Sequence, residues 1–396
     1  MSCVADPSCP AAAGSACPGC GGGTGVRQPQ AAHWTLVKGI WKAEALSPTA
    51  GTACLCSGGV NGVQADLPDS GNCRDSLWRK HEVSLLAKIP SAKLVKDFRP
   101  IAVLPVIYKL YSRVMYMLAE TTCDRIYAPQ FAFRKFHQAH EVVFIMRQLI
   151  EKAIEWKAPE VYIMDGDIKK AYDYASHALF AEAARSRGMH EVLIHAWLRE
   201  WRNMKSEFKL DSQTTSKEVE RTRSFPQGDP AAPMIFNLVL DTIAETFVKT
   251  AMRKGWGKRL QDGSWVNLIM FADNYWLVAT DPHTLRLMTC GWLRLLGGVG
   301  WETPTDDLTW CTTIDDDINI KILVDGKLIS RPKRGEGFKV LGTMITFDNN
   351  FDVEIENRLA RANATFYASW ELLGCTSSPL AKRMDIFRAT VESTFL

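Results

Sequence analysis

The sequence lacks any apolar run as long as the roughly 18 to 20 residues that span a bilayer, and its N-terminus has no basic stretch followed by an apolar one. Neither a membrane helix nor a secretion signal is therefore expected, and the reading is a soluble intracellular protein with no membrane partner. Net charge is also nearly absent: 47 Lys and Arg oppose 44 Asp and Glu, leaving +3. So small an excess announces no polyanion by itself, and any nucleic-acid surface has to be a local patch. No internal repeat is found, which excludes solenoids and propellers. Cysteine is scarce beyond the front end, since Cys3, Cys9, Cys17, Cys20, Cys54, Cys56 and Cys73 lie together and the other four are scattered singly. That distribution is no disulfide framework. Cys17-Pro-Gly-Cys20 has metal-ligand spacing, but Cys54-Leu-Cys56 is too tight for an ordinary second pair, so an irregular tail is preferred to a zinc site.

What is present is globular: 396 residues, 46% apolar and 23% charged, enough for two or three packed domains. Residues 1–75 are rich in Gly, Cys, Ala, Ser and Pro without apolar period, which predicts a disordered lead, and the fold is expected to begin near Trp78. Residues 82–90 alternate as a strand, and Phe98-Arg-Pro-Ile101 resumes an extended run, a hairpin with Lys93, Lys96 and Arg99 near its tip. Helices are predicted over 105–127, with Val106, Leu110, Val114, Met117 and Leu118 on one face, and over 137–156, with Val142, Met146, Leu149, Ala153 and Ile154 on one face. A strand at 161–164 runs into Asp165-Gly-Asp167, and two helices flank Gly188. The turn Phe225-Pro-Gln-Gly-Asp-Pro230 feeds an apolar helix from 233 to about 254. Strands at 266–271 and 275–280 join across Ala272-Asp273-Asn274, followed by a helix at 284–296, a hairpin centred on Asp325-Gly326, a strand over 338–346 and helices over 353–373 and 379–395. One sheet with helices on a face is an α+β core.

Three acids fall at or just past strand ends: Asp167, Asp173 one helical turn on, and Asp273 in a tight turn. Two such carboxylates brought together repel unless a hard cation neutralises them, which makes a Mg²⁺ site the economical reading. Singly, each has a plainer explanation: Asp273 fills a hairpin turn and Asp167 caps the helix carrying Tyr172.

The ordered set decides between these. Asp167-Ile-Lys-Lys-Ala-Tyr-Asp173, Pro226-Gln-Gly-Asp-Pro230 with Phe236-Asn-Leu-Val-Leu-Asp241, Phe271-Ala-Asp-Asn274 and Val340-Leu-Gly342 resemble the reverse transcriptases of non-LTR retrotransposons. Upstream, Phe98-Arg-Pro-Ile101 with Leu104-Pro-Val-Ile-Tyr-Lys109, and Gln130-Phe-Ala-Phe-Arg134, resemble the same family's finger motifs. No single motif is that specific, whereas six in the family's order over roughly residues 76 to 396 are.

The resemblance implies a right-hand polymerase: fingers at 76–160, a palm at 161–347 with an antiparallel sheet backed by helices, and a partial thumb at 348–396. It implies RNA-directed DNA synthesis from an RNA template, a DNA primer and dNTPs, by phosphoryl transfer with two Mg²⁺ ions for which Mn²⁺ can substitute. Asp167, Asp273 and the carbonyl of Ile168 would hold metal, with Asn274 beside them. Tyr172 would exclude a 2′-hydroxyl, or pack as a helix-face tyrosine. Lys93 (or Lys96) and Arg99 would clamp the triphosphate. Gln227 and Gly228 would meet nucleotide and template, or form an ordinary turn. Arg134 would support the fingers or pair with an acid. Leu341 and Gly342 would form a primer grip, and the cations of Ser330-Arg-Pro-Lys-Arg-Gly335 would either touch primer phosphates or form a solvated loop. Nuclear residence follows from the family only, and no oligomeric state is implied.

Four departures stand out. Asn274 replaces a second aspartate, no lysine is evident in Trp301-Glu-Thr-Pro-Thr-Asp-Asp-Leu308, Ala132 replaces a glycine, and Ala231-Ala232 replace Leu-Ser. With the chain stopping at Leu396, they raise an alternative: a catalytically inactive or co-opted reverse-transcriptase-derived nucleic-acid-binding protein. A second alternative is an RNA-directed RNA polymerase, which Tyr172 opposes.

Overall fold

The structure is a computed structural model that describes residues 32–37, 40–45 and, apart from 89–90, 93–96, 128, 157–158, 203, 210–214 and 222, residues 80–395. The chain divides into two compact units, Met1–Ser70 and Gly71–Leu396. In the first, β1 (Ala32–Val37) pairs antiparallel with β2 (Ile40–Ala45), Ala32 opposite Ala45. The rest of the disorder expected for 1–75, and all seven front-end cysteines, lie outside the described residues.

The second unit begins with β3 (Lys80–Ala87), which buries His81 and Val83 and exposes Lys80 and Glu82, the period of a half-buried strand. It pairs antiparallel with β4 (Phe98–Val103), Leu86 opposite Arg99. α1 (Val106–Cys123) follows Pro105, and α2 (Ala139–Glu155) opens on a capping box between Gln138 and Glu141. α2 buries Val142, Met146, Leu149 and Ala153 as its spacing predicts. α1 does the opposite: Tyr108, Ser112, Met115, Tyr116 and Ala119 face inward, while Val106, Leu110, Val114, Met117 and Leu118 are exposed. The aromatic and small residues win because Tyr108 and Ser112 find a buried carboxylate, described below.

Next come β5 (Tyr162–Asp167), the short α3 (Ala171–Tyr174), α4 (His177–Ser186) and α5 (Glu191–Trp201). β6 (Met204–Lys209) and β7 (Val219–Arg221) were not expected; they complete a sheet ordered β4-β3-β6-β7, with β6 parallel to β3. α6 (Ala232–Lys254) is apolar nearly all round, as befits a helix buried on most sides, and ends on Gly255 at φ +66°. The ribbon of β8 (Lys258–Arg259) and β9 (Trp265–Val266) precedes β10 (Leu268–Phe271), β11 (Asn274–Ala279) and α7 (Pro282–Gly298). β12 (Thr309–Thr312) is followed by the expected hairpin at Asp325-Gly326, between β13 (Leu323–Val324) and β14 (Lys327–Leu328). The strand expected over 338–346 is a hairpin, β15 (Phe338–Val340) and β16 (Thr343–Ile345), because Leu341 (φ +49°) and Gly342 (φ +92°) are both left-handed. α8 (Asp352–Ala368), α9 (Trp370–Leu373) and α10 (Leu380–Phe387) close the chain around Ala362, Leu373 and Val391.

The central sheet is antiparallel throughout and ordered β10-β11-β5-β12. One face presents Tyr162, Met164, Met270, Tyr275, Leu277 and Trp310 to a core that includes Phe180, Trp197, Phe236, Phe247 and Trp292 from the helices. Complete burial of a side chain such as Phe236 is worth about 1.5–3 kcal/mol. The other face presents Ile163, Ile269, Trp276, Val278 and Cys311 to α2 and the β15–β16 hairpin. β5 is thus clamped on both sides, and its last residue projects from a rigid base.

Candidate active site

Strand pairing builds the site. Asn274 is opposite Asp167 in the β5–β11 ladder, and the amide of Ile168 donates to the carbonyl of Asp273 at 3.1 Å, so Asp273 in the β10–β11 turn stands beside Asp167. Burial, then the charges of Asp273 and Asp307, push the Asp167 carboxyl up to about 6. Asp273 is also raised by burial, against the opposing pull of Arg99. Among the described residues no set of three or more His, Cys, Asp or Glu side chains is placed to hold a metal ion. The candidate donor set is therefore this pair of mutually repelling carboxylates, an arrangement that suits a hard divalent cation. Asp173 stays apart, its carboxyl raised by burial and countered by Arg221, Lys170 and Lys88.

The neighbours of the pair are set by close contacts. A Cβ at Gly166 would lie 2.4 Å from the Tyr275 ring, which is why glycine separates Asp165 from Asp167. Thr303 Oγ1 donates to the Asp167 carbonyl at 2.9 Å, Glu302 O accepts from Lys169 N at 2.8 Å, and Trp301 Nε1 donates to Ala171 O at 3.0 Å. The segment without a lysine is thus the brace of the 167–171 loop. It brings Asp307, an acid, near Asp167.

Tyr172 stacks on Phe236 with centroids 4.7 Å apart, and its hydroxyl is raised by burial and by the charge of Asp273. Arg99, exposed on β4, is the cation acting on Asp273. Lys93 and Lys96 lie outside the described residues. Lys88, which the sequence reading passed over, acts on both Asp167 and Asp173; its signal was a lysine just past the end of β3, before the loop that drew attention.

Gln227 accepts from Ala102 N through its main-chain oxygen at 2.7 Å, and a Cβ at Gly228 (φ +118°) would lie 2.4 Å from Ala102 O. Glycine is thus required by the close approach of β4. Asp229, also passed over, is buried and accepts from Tyr108 Oη at 3.0 Å, from Ser112 Oγ and from Ala231 N at 2.9 Å, tying α1 to the start of α6. Arg134 Nη1 donates to Gln130 O at 3.0 Å, a supporting contact. Leu341 and Gly342 form the β15–β16 turn, Leu341 packed on the core beneath. In the basic loop, Arg331 lies over Trp310 and donates to Ile318 O at 3.0 Å, and Arg334 donates to Phe347 O at 3.0 Å and pairs with Asp315, so both arginines are engaged within the protein rather than freely solvated.

Residues 84–293, more than half of the chain, match the family described as reverse transcriptase (RNA-dependent DNA polymerase). The chain is 24% identical over 205 residues to the Pol polyprotein of type-1 retrotransposable element R2 from Nasonia vitripennis, covering 51% of this chain and 19% of that one. It is 24% identical over 237 residues to the Pol polyprotein of type-2 retrotransposable element R2DM from Drosophila melanogaster, covering 60% and 21%. The chain thus spans about a fifth of the length of these curated relatives. Among solved structures, apo telomerase from Candida tropicalis truncated from the C-terminal domain is similar at TM-score 0.46 and 12% identity, over 64% of this chain and 53% of that one. Telomerase from Candida albicans in complex with a TWJ fragment of telomeric RNA is similar at TM-score 0.42 and 10% identity, over 80% and 55%. The α+β architecture is that of a right-hand polymerase, and the chain belongs to the reverse transcriptase family, carrying a domain of the non-LTR retrotransposon kind.

Proposed function

We propose that the chain extends a DNA primer with dNTPs on an RNA template. The observation that carries this reading is the pairing of two mutually repelling carboxylates, Asp167 and Asp273, at the end of a rigid sheet, with Arg99 and Lys88 acting on them from the fingers side. Asp167, Asp273 and the Ile168 carbonyl would hold two Mg²⁺ ions, or Mn²⁺. Bound there, the cations would neutralise charge on the triphosphate and on the attacking primer hydroxyl.

The chain's own residues do the positioning. Arg99 and Lys88 receive the triphosphate, with Lys93 on the intervening loop. The Tyr172 ring, held flat by Phe236, fills the space a 2′-hydroxyl would need. Asn274 offers an amide where a carboxylate would add charge. Leu341 and Gly342 steer the primer strand from the tip of their hairpin. In this reading residues 76–160 act as fingers, 161–347 as palm and 348–396 as the first part of a thumb, and the protein works in the nucleus.

Primer extension on an RNA template with Mg²⁺ tests the proposal. Wild type incorporates dNTPs, and Asp167→Ala lowers the rate by at least about 10³-fold. Incorporation that survives this substitution overturns the site. A second reading, a nucleic-acid-binding protein without activity, is favoured by Asn274 and by the acid Asp307 beside Asp167. It predicts binding of primed template with no incorporation in either Mg²⁺ or Mn²⁺.

A further inference from the structure

We infer that Gln130 is a positioning residue for the catalytic turn, holding Asp273 beside Asp167 by bonding both main-chain polar groups of Ala272; this rests on the polymerase reading above. Ala272 has φ +56°, a conformation that L-residues other than Gly, Asn and Asp seldom adopt, and it immediately precedes Asp273. In a two-residue turn its N–H and C=O have no ladder partners, so an ordering group has to come from elsewhere. Gln130 Oε1 accepts from Ala272 N at 2.9 Å, and Gln130 Nε2 donates to Ala272 O at 3.1 Å. A primary amide is the neutral side chain that offers donor and acceptor in one plane at that spacing.

The clamp is itself fixed. Gln130 is 1% exposed, and its Oε1 also accepts from Ala132 N at 3.0 Å. Its segment is docked on the outer edge of β10, with Met270 N donating to Pro129 O at 2.9 Å and Phe131 N donating to Met270 O at 3.0 Å. From α6, buried Asn237 donates through Nδ2 to Ala132 O at 2.7 Å, and Arg134 holds the Gln130 carbonyl. A continuous set of buried and partly buried hydrogen bonds therefore runs from α6 to the turn carrying Asp273. Its loss leaves the carboxylate in place but lets the turn relax out of the left-handed conformation. Groups that orient a ligand in this way typically alter metal affinity or activity by about 10- to 100-fold when removed.

The experiment uses the full chain and Gln130→Met, which keeps the volume and removes all three side-chain hydrogen bonds. Three quantities are measured: amide hydrogen exchange at 270–274, Mn²⁺ binding followed by the resonance of free Mn²⁺, and dNTP incorporation on primed RNA. Exchange at Ala272 should accelerate at least about tenfold, Mn²⁺ should bind about tenfold more weakly, and kcat should fall about 10- to 100-fold with KM for dNTP within about twofold. Adding Ala272→Gly to Gln130→Met should recover much of the kcat, because glycine holds the left-handed turn unaided. Unchanged exchange and unchanged Mn²⁺ affinity overturn the proposal, as does a fall in activity that Ala272→Gly does not relieve. Absence of incorporation by wild type would count against the polymerase reading alone, since exchange and Mn²⁺ binding still decide the role of Gln130. Should Gln130→Met not melt cooperatively, Gln130→Leu is measured; it also removes all three side-chain bonds, and exchange at Ala272 identical to wild type overturns the proposal.

Discussion

Asn274 is the direct cross-strand neighbour of Asp167, so the residue facing the first carboxylate across the ladder is an amide and the second carboxylate, Asp273, approaches from the turn. Asn274→Asp would put like charges opposite one another, which costs about 0.2–1 kcal/mol in a sheet. In EDTA the variant should therefore melt below wild type. With Mg²⁺ present the added carboxylate becomes a ligand, so melting should return to the wild-type value and dNTP incorporation should rise severalfold. A loss of incorporation in Mg²⁺ would mean that the amide itself is used.

The raised carboxyls give the metal-free protein a definite pH dependence. Asp165 is pushed up to about 7, chiefly by burial, and Asp167 to about 6. Each binds a proton in the folded state over a range where the unfolded chain has already lost it. Stability therefore falls as pH rises from about 4 through 6 to 7, and the lost part is regained on acidification. Thermal melts in EDTA should show the midpoint dropping between pH 5 and pH 7.5. Asp167→Asn should flatten part of that drop, and Mg²⁺ should remove more of it in wild type than in the variant. A midpoint that climbs over this interval would contradict the assigned shifts.

Gly166 is a position where a single methyl group is decisive. Its Cβ would meet the Cζ and hydroxyl of Tyr275 at 2.4 Å each, inside a strand packed on both faces. Gly166→Ala should destabilise the fold by about 1–3 kcal/mol through overpacking, read as a lower denaturation midpoint. Trimming the obstacle with Tyr275→Leu should restore part of the loss in the double variant. Additive losses would show that the clash is relieved elsewhere.

Much of the fold was legible because its signals are local. The apolar strand ending at Asp167, the two strands around Ala272-Asp273-Asn274 and the apolar helix α6 are set by period and by turn residues within a few positions. β6, β7 and β12 were missed because short, half-polar strands are made by their neighbours in the sheet rather than by their own pattern. α1 was assigned the wrong face for a related reason. Its longer aliphatic stripe is the better apolar match, yet Tyr108 and Ser112 turn inward to satisfy Asp229, more than a hundred residues away in sequence. The acids and Arg99 could be found from type and order. Gln130, Lys88 and the requirement for glycine at 228 could not, since each exists only through a partner brought near by folding.

On the proposed function Tyr172 is the group that would separate DNA from RNA synthesis, and its packing makes the expected effect specific. The ring is half-buried, stacked on Phe236 at 4.7 Å with an interplanar angle of 25°, and therefore cannot swing aside to admit a larger sugar without losing that contact. Exclusion by the ring's bulk predicts that Tyr172→Phe keeps the preference for dNTPs, because the hydroxyl is not what fills the space. Tyr172→Ala should raise the ratio of ribonucleotide to deoxynucleotide incorporation by at least about tenfold, with a smaller change in the rate for dNTPs alone. Removing the ring also leaves Phe236 with an open face, so some loss of thermal stability should accompany the change in selectivity. If Tyr172→Phe and Tyr172→Ala shift the ratio equally, the hydroxyl rather than the ring is the selective group. Its position in the field of Asp273 would then be the feature to pursue.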